Sequence, residues 1–364
     1  KSKHSLLPGT KRMLKWSLIG FALVVSLVVM GVGWVVSSLG GFETVDTTYA
    51  GSCSRIVGMP GAEDIEPDYA TGFAYVSSYD RWAYASGDDK PGTIFRINMN
   101  DEGVSAPVRM RGTEDLSNFH PHGISFYQDE GRKLLFVISH RVPEAPIAGH
   151  DIYAFEIVDT SLVLVERFED SGFKSPNDLS AVGTRQFYFT NDRKALEEGA
   201  ALPEVLLGLE VTDVSYFDGS TSSVVAEEIA FANGVRVSAD GLSLYVTAFR
   251  GGVTDVYARD PVSNNLELVR AYETANGPDN ITLASDGSLW IASHVSALAS
   301  TIHAGDPTAL APVQIFRIDP ISQTIETIYE DKGELISAAS VAVPFGDRLV
   351  IGSVYQDWVL TCAM

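Results

Sequence analysis

Two patterns of apolar and polar positions divide the chain. Residues 16–42, WSLIGFALVVSLVVMGVGWVVSSLGGF, run for 27 positions without a charged side chain, and a helix needs only ~20 apolar residues to cross a bilayer. This run predicts a membrane-spanning helix over residues 16–39. Beyond residue 42 the apolar runs become short, alternating and rich in β-branched residues, as in VRVSADGLSLYVTAF (235–249) and ITLASDGSLWIAS (281–293). Both break at Asp-Gly, a hairpin signal. Only KALEEGAALPEVLLGLE (194–210) suggests a helix, and Pro203 limits it.

The strand-like segments recur. Each opens on a polar cluster and continues as strand, turn and strand: EDIEPDYATGFAYVSSY (63–79), HPHGISFYQDEGRKLLFVISH (120–140), SPNDLSAVGTRQFYFTND (175–192), FANGVRVSADGLSLYVTAF (231–249), GPDNITLASDGSLWIASH (277–294) and SAASVAVPFGDRLVIGSVY (337–355). With Asp64, His122, Asn177, Asn233, Asn280 and Ser340 as equivalent points, the spacings are 58, 55, 56, 47 and 60 residues. Six units of about 50 residues, each holding several short strands, match the blades of a β-propeller. The predicted fold is all-β, a six-bladed β-propeller behind an N-terminal transmembrane helix. A two-domain β-sandwich is the alternative, and it leaves the sixfold recurrence unexplained.

Charge adds an orientation. The net charge is −21, residues 1–42 contribute +5, and the remaining body therefore carries −26. Such a body repels nucleic acid and anionic lipid and suits a divalent cation, so no nucleic-acid partner is expected. Basic residues before the apolar run and none directly after it place the N-terminus in the cytoplasm. The expected organisation is a basic tail over 1–15, an uncleaved signal-anchor over 16–39, a linker over 40–52 and the propeller over 53–364. This describes a single-pass membrane protein with its body on the periplasmic or extracellular (lumenal) side. A cleaved signal peptide would have an apolar core of ~7–15 residues and an A-x-A-like site, which this run does not match. Gly20, Gly31 and Gly33 would permit close approach to another helix, in a homo-oligomer or with a membrane partner.

The two cysteines, Cys53 and Cys362, stand near the two ends of the body. They either pair, which an outside compartment permits, or remain two separate buried thiols. Meeting ends are what ring closure needs, so a clasp across the first and last blades fits the propeller.

In a propeller the innermost strands line a central channel and bring one polar cluster per blade to its mouth. Here those clusters are Glu63 with Asp64, His122, Asn177 with Asp178, Asn233, and Asp279 with Asn280. Nearly all are oxygen donors, which suit calcium better than zinc. Taken singly, Asn-Asp pairs are ordinary turn residues; four clusters in register favour a metal. His122 and His140 lie at strand ends of one blade and are candidates for proton transfer, against the plainer reading of buried structural histidines. Phe231, beside Asn233, belongs either to an apolar substrate wall or to the core.

The motifs EDIE (63–66), FHPHGIS (119–125), SPNDLSAVG (175–183), FANG (231–234), DNI (279–281) and LVIGSVY (349–355), with the terminal cysteine pair, resemble the serum paraoxonase and arylesterase family over about residues 50–364. The resemblance implies a six-bladed propeller with two calcium ions and a retained hydrophobic N-terminal segment. It implies a catalytic calcium held by Glu63, Asn177, Asn233, Asp279 and Asn280, and a structural calcium held by Asp64, Asp178 and the backbone carbonyl of Ile124. It further implies a histidine dyad, His122 with His140 behind it, and hydrolysis of lactones, aryl esters and in some cases phosphotriesters. His122 would activate water, with Glu63 or Asp279 sharing the role. His120 stands where the family tends to have Asn, and falls to a surface or supporting position. Ser293 replaces a family cysteine, and the loop over 141–151 is expected to reshape the entrance.

Two rivals remain. A gluconolactonase-like hydrolase would hold one metal through Glu63, Asn177, Asn233 and Asp279 without needing the dyad. A propeller that binds a protein partner would keep calcium for stability alone, since fold does not dictate function.

Overall fold

Each repeat unit folds as a four-stranded antiparallel sheet, its short apolar strands joined by tight turns. The computed structural model describes residues 8–100, 105–140, 150–197, 199–274 and 276–364, with backbone alone for 8–15. Five blades run outward in chain order from the innermost strands Ala62–Asp68, Pro121–Asp129, Pro176–Ala181, Ala232–Val237 and Pro278–Leu283. The sixth starts at Ala339–Phe345 and takes its outermost strand, Cys53–Val57, from the beginning of the body. The innermost strands touch in sequence and the last touches the first, so the ring closes. At the Asp-Gly turns, Gly241 and Gly287 adopt φ of 74° and 84°, a left-handed backbone that glycine takes without a Cβ clash.

Large side chains pack between blades. Phe136 and Phe168 of blade 2 meet Phe187, Phe189 and Phe217 of blade 3, while Ile65 and Val76 of blade 1 meet Val341, Val343 and Val350 of blade 6. Fully burying one such apolar side chain stabilises by roughly 1.5–3 kcal/mol. At the closure, Cys53 stands opposite Cys362 in antiparallel register and the two sulfurs are bonded.

Helix α1 (Pro8–Ser38) contains the apolar run, and its stretch Trp16–Ser38 is long and apolar enough to cross a membrane. Its end docks on the propeller. Arg250 Nη1 donates to Ser38 O at 2.6 Å, Leu298 N donates to Leu39 O at 3.2 Å, and Leu39 is buried. Gly40 then turns at φ 69°, where a Cβ would stand 2.4 Å from Val295 O.

Among the described residues three short helices interrupt the blades. The expected helix over 194–210 is reduced to α3 (Leu202–Leu207), with Pro203 in its first turn and left-handed Gly208 at its end. Helices α2 (Arg81–Ala85) and α4 (Ala297–Gly305) are not in the sequence reading. They are too short for a helical period to emerge, and each starts at a side-chain cap, Asp80 accepting from Ala83 N and Ser296 from Ala299 N.

Closing a loop with a sequence separation of 309 removes denatured-state entropy worth about 5 kcal/mol or somewhat more. Cys53→Ala, or reduction of the bridge, is expected to lower the thermal midpoint of detergent-solubilised protein by several degrees; an unchanged midpoint would show that the clasp adds nothing to blade closure.

Candidate active site

All six innermost strands begin with the same defect. Pairing shifts register between Ala62 and Ile65, Pro121 and Ile124, Pro176 and Leu179, Ala232 and Val235, Pro278 and Ile281, and Ala339 and Val341. Each shift is a β-bulge, which bends the strand and re-aims side chains. The residues inside the bulges are Glu63 and Asp64, His122 and Gly123, Asn177 and Asp178, Asn233 and Gly234, Asp279 and Asn280, and Ser340. Gly123 and Gly234 let neighbouring strands approach closely: a Cβ would stand 2.5 Å from Asn177 O at the first and 2.6 Å from Asp279 O at the second.

The upper layer gathers Glu63, Asn177, Asn233, Asp279 and Asn280, all buried. Asn280 Nδ2 donates to Glu63 Oε1 at 2.9 Å, which fixes the amide and turns its oxygen the other way. Four oxygens of this layer, Glu63 Oε2, Asn177 Oδ1, Asn233 Oδ1 and Asn280 Oδ1, are buried without a hydrogen-bond partner. Unmatched buried acceptors cost ~1–3 kcal/mol each, and a hard cation satisfies them together. Among the described residues no group of three or more His, Cys, Asp or Glu is placed to hold a metal; the donor set here is mixed, two carboxylates with three amides, and it fits calcium. Burial, reinforced by the charges of Asp64 and Asp279, holds the Glu63 carboxyl well above its ordinary range, as expected where a compensating cation is needed.

A lower layer is furnished differently. Asp64 accepts from Ile65 N and Ile124 N, and Asp178 from Leu179 N and Val235 N, all at 2.7–2.8 Å. These bonds join blade 1 to 2 and blade 3 to 4. Below them Arg236 pairs with Glu66 and donates to Ile281 O, and its charge acts on both aspartates. The lower carboxylates are thus answered by four backbone N–H groups and a guanidinium.

Beside the upper layer His122 and His140 stack face to face, centroids 4.6 Å apart. Arg81 Nη2 lies 2.7 Å from His122 Nδ1, and His122 Nε2 lies 3.7 Å from Glu63 Oε1. His140 Nε2 donates to Pro176 O at 2.8 Å, and His150 adds a third ring 4.7 Å beyond. Burial pushes His122 and His140 well below the usual histidine value, with neighbouring histidines and Arg81 adding to the effect, so both are neutral near pH 7. His120 is buried, donating from Nδ1 to His140 O at 3.0 Å under the Tyr79 ring.

On the blade 5 side, His294 Nε2 donates to Asp279 Oδ2 at 2.8 Å while Nδ1 faces Ser300 Oγ. Phe249 packs on His294, and Phe231 on Phe249. Phe231 is half-buried and holds φ 62°, a strained conformation for an aromatic residue that clusters at functional sites. Trp82 and Tyr355 stack to form another aromatic wall, closed by His303 of α4. The sequence reading did not single out Arg81, His150 or His294. A signal existed for His294: VISH (137–140) and IASH (291–294) end the second strands of their blades alike. Most of the loop over 141–151 lies outside the described residues.

The fold is a six-bladed propeller with an oxygen-rich, histidine-flanked cluster at the bulges of its innermost strands. A family model described as Arylesterase matches residues 47–364, and the chain belongs to that family of enzymes. Among curated relatives, it is 29% identical to human serum paraoxonase/arylesterase 2 over 86% of this chain and 88% of that protein. It is 28% identical to rat serum paraoxonase/arylesterase 1 over 87% and 90%. Solved structures of similar fold include a luciferin-regenerating enzyme (TM-score 0.54, 13% identity, 86% of this chain and 96% of that one) and a putative gluconolactonase (TM-score 0.53, 13% identity, 87% and 94%).

Burial dominates the carboxyls of Glu63, Asp64 and Glu66 and raises each, and it pushes Asp178 up to about 8. Each holds its proton more tightly folded than unfolded, so its stabilising contribution is full below about pH 4 and is lost as pH rises through the folded value. Buried neutral histidines, His122 and His140, act in the opposite sense up to about pH 6.5, so in chelator the melting temperature is expected to fall between about pH 7 and 8. Calcium should raise it most at the alkaline end, and a chelated protein that grows more stable over that range would contradict this charge balance. A second expectation concerns packing: Gly234→Ala forces Asp279 and Asn280 outward and should weaken calcium-induced stabilisation, read as a smaller shift in melting temperature at saturating calcium.

Proposed function

We propose that the chain is a calcium-dependent hydrolase of lactones and aryl esters, with phosphotriesters as a secondary class, working at the upper layer of the channel. The observation that carries this reading is the convergence of four unpartnered buried oxygens beside two neutral histidines. Glu63, Asn177, Asn233, Asp279 and Asn280 would hold the ion. Calcium there would supply Lewis-acid polarisation of a carbonyl or phosphoryl oxygen and stabilise the charge that develops on it.

The residues around the ion divide the remaining work. Phe231, Phe249, Trp82 and Tyr355 offer apolar walls for an acyl or aryl group and exclude water. Glu63, Asp279 and His122, backed by His140, are the groups that would donate hydrogen bonds to the reacting oxygen or take the proton of water. His294 holds Asp279 through one carboxylate oxygen, Oδ2. A second calcium at the lower carboxylates is implied by the family resemblance alone; their bonding to Arg236 and four N–H groups supports that ion less than the orphaned oxygens support the first. We further propose that α1 anchors the enzyme in a membrane as a single span, with residues 1–15 in the cytoplasm. The docking of Ser38 and Leu39 on the propeller supports a helix that stays with the body.

The test is hydrolysis of γ- and δ-lactones with short and long tails, and of phenyl acetate, by detergent-purified protein with calcium and after chelation. Turnover should vanish on chelation and return with calcium. Glu63→Gln and Asn233→Ala should each lower kcat by about 100-fold or more, and His122→Gln by ~100-fold. Retained activity in His122→Gln alone would point to the single-metal, gluconolactonase-like chemistry. Calcium-dependent melting without turnover on any substrate would leave the ion a structural role.

A further inference from the structure

Arg81 lies outside the ligand cluster, in a helix absent from the sequence reading, yet its guanidinium stands within hydrogen-bond distance of His122. Asp80 caps α2 and sets Arg81 at its first position. The guanidinium is held from several sides: Nη1 donates to Val354 O of blade 6 at 3.1 Å and approaches Tyr79 O of blade 1 at 3.5 Å, and the group lies 5.7 Å from the Tyr79 ring centroid. Its Nη2 then meets His122 Nδ1, in blade 2, at 2.7 Å.

An arginine guanidinium has five donors and no acceptor, and it does not lose its proton in proteins. The His122 nitrogen facing it must therefore be the hydrogen-free one. In a neutral imidazole the hydrogen is then on Nε2, the atom that looks toward Glu63 Oε1 across 3.7 Å. The opposite tautomer, which a proton-accepting Nε2 requires, would set an Nδ1–H against a guanidinium N–H, two donors face to face. His140 fixes the ring from its flat side by stacking, and its own Nε2 is committed to Pro176 O.

We propose that Arg81 is a positioning residue that locks His122 as the Nε2–H tautomer, so that His122 presents a hydrogen-bond donor, and no proton acceptor, to the reacting oxygen. Donors fixed before reaction stabilise developing negative charge without reorganising, and taking the water proton falls to another group of the cluster. The kinetic arm of the test rests on the hydrolase reading above; the spectroscopic arm does not.

The experiment uses the full chain in detergent, labelled with 15N-histidine, with His122→Gln to identify the His122 signals. In the parent protein the Nδ1 resonance should be that of a hydrogen-free nitrogen and Nε2 that of an N–H. Arg81→Met should give mixed tautomers and lower kcat by about tenfold with KM changed less than about twofold, and Arg81→Lys, which still donates, should restore the tautomer and most of kcat. An Nδ1–H in the parent protein, or an unaltered His122 spectrum in Arg81→Met, overturns the proposal. If the parent protein turns over no ester or lactone, the hydrolase reading fails while the tautomer still decides the role of Arg81.

Discussion

Buried like charge governs this molecule. Glu63, Asp64, Glu66 and Asp178 share one narrow, desolvated channel, and carboxylates so close cannot all ionise out of water unless protons or cations compensate them. The architecture supplies that compensation unevenly. Backbone N–H groups answer Asp64 and Asp178 and the Arg236 guanidinium answers Glu66, while four upper oxygens stay buried without a hydrogen-bond partner. Two arginines, Arg81 above and Arg236 below, flank the acidic column in a body of strongly negative net charge.

The six bulges bring adjacent polar positions to the same end of the ring. An undisturbed strand alternates its side chains between faces, and one polar residue per blade would point into the channel. The extra residue lets neighbouring positions serve two layers: Glu63 faces the upper set while Asp64 ties blade 1 to blade 2, and Asn177 and Asp178 divide the same way. The bonds between blades and the candidate site thus share a backbone defect.

Much of this was legible in the sequence, for reasons that differ by level. The blades showed because strand periodicity is local and repeated, and the polar residues of the bulges fell at the same phase of every repeat. The disulfide was one of two open readings until the propeller asked for meeting ends. Helices α2 and α4 were not visible, since five and nine residues are too few for a helical period to stand out, and with them went Arg81 and the His303 wall. His120 illustrates another limit: its sequence suggested a surface or supporting place, and only the tertiary fold puts it beneath Tyr79 and His140. The division of the carboxylates between N–H groups, Arg236 and orphaned oxygens depends on contacts between blades, which no local pattern encodes.

The outermost strand of the last blade comes from the start of the body, and this sets an order of events during synthesis. Cys53–Val57 leaves the ribosome with no partner strand until Trp358–Ala363 follows it some three hundred residues later. Throughout that interval the nascent chain carries an unpaired strand, the kind of exposed edge that recruits wrong partners. Contacts so distant along the chain also form slowly. The inner ring can close once Ala339–Phe345 has been made, but the seam that holds Cys53–Val57 in the last blade forms only when Trp358–Ala363 arrives, and a chain without that strand lacks it.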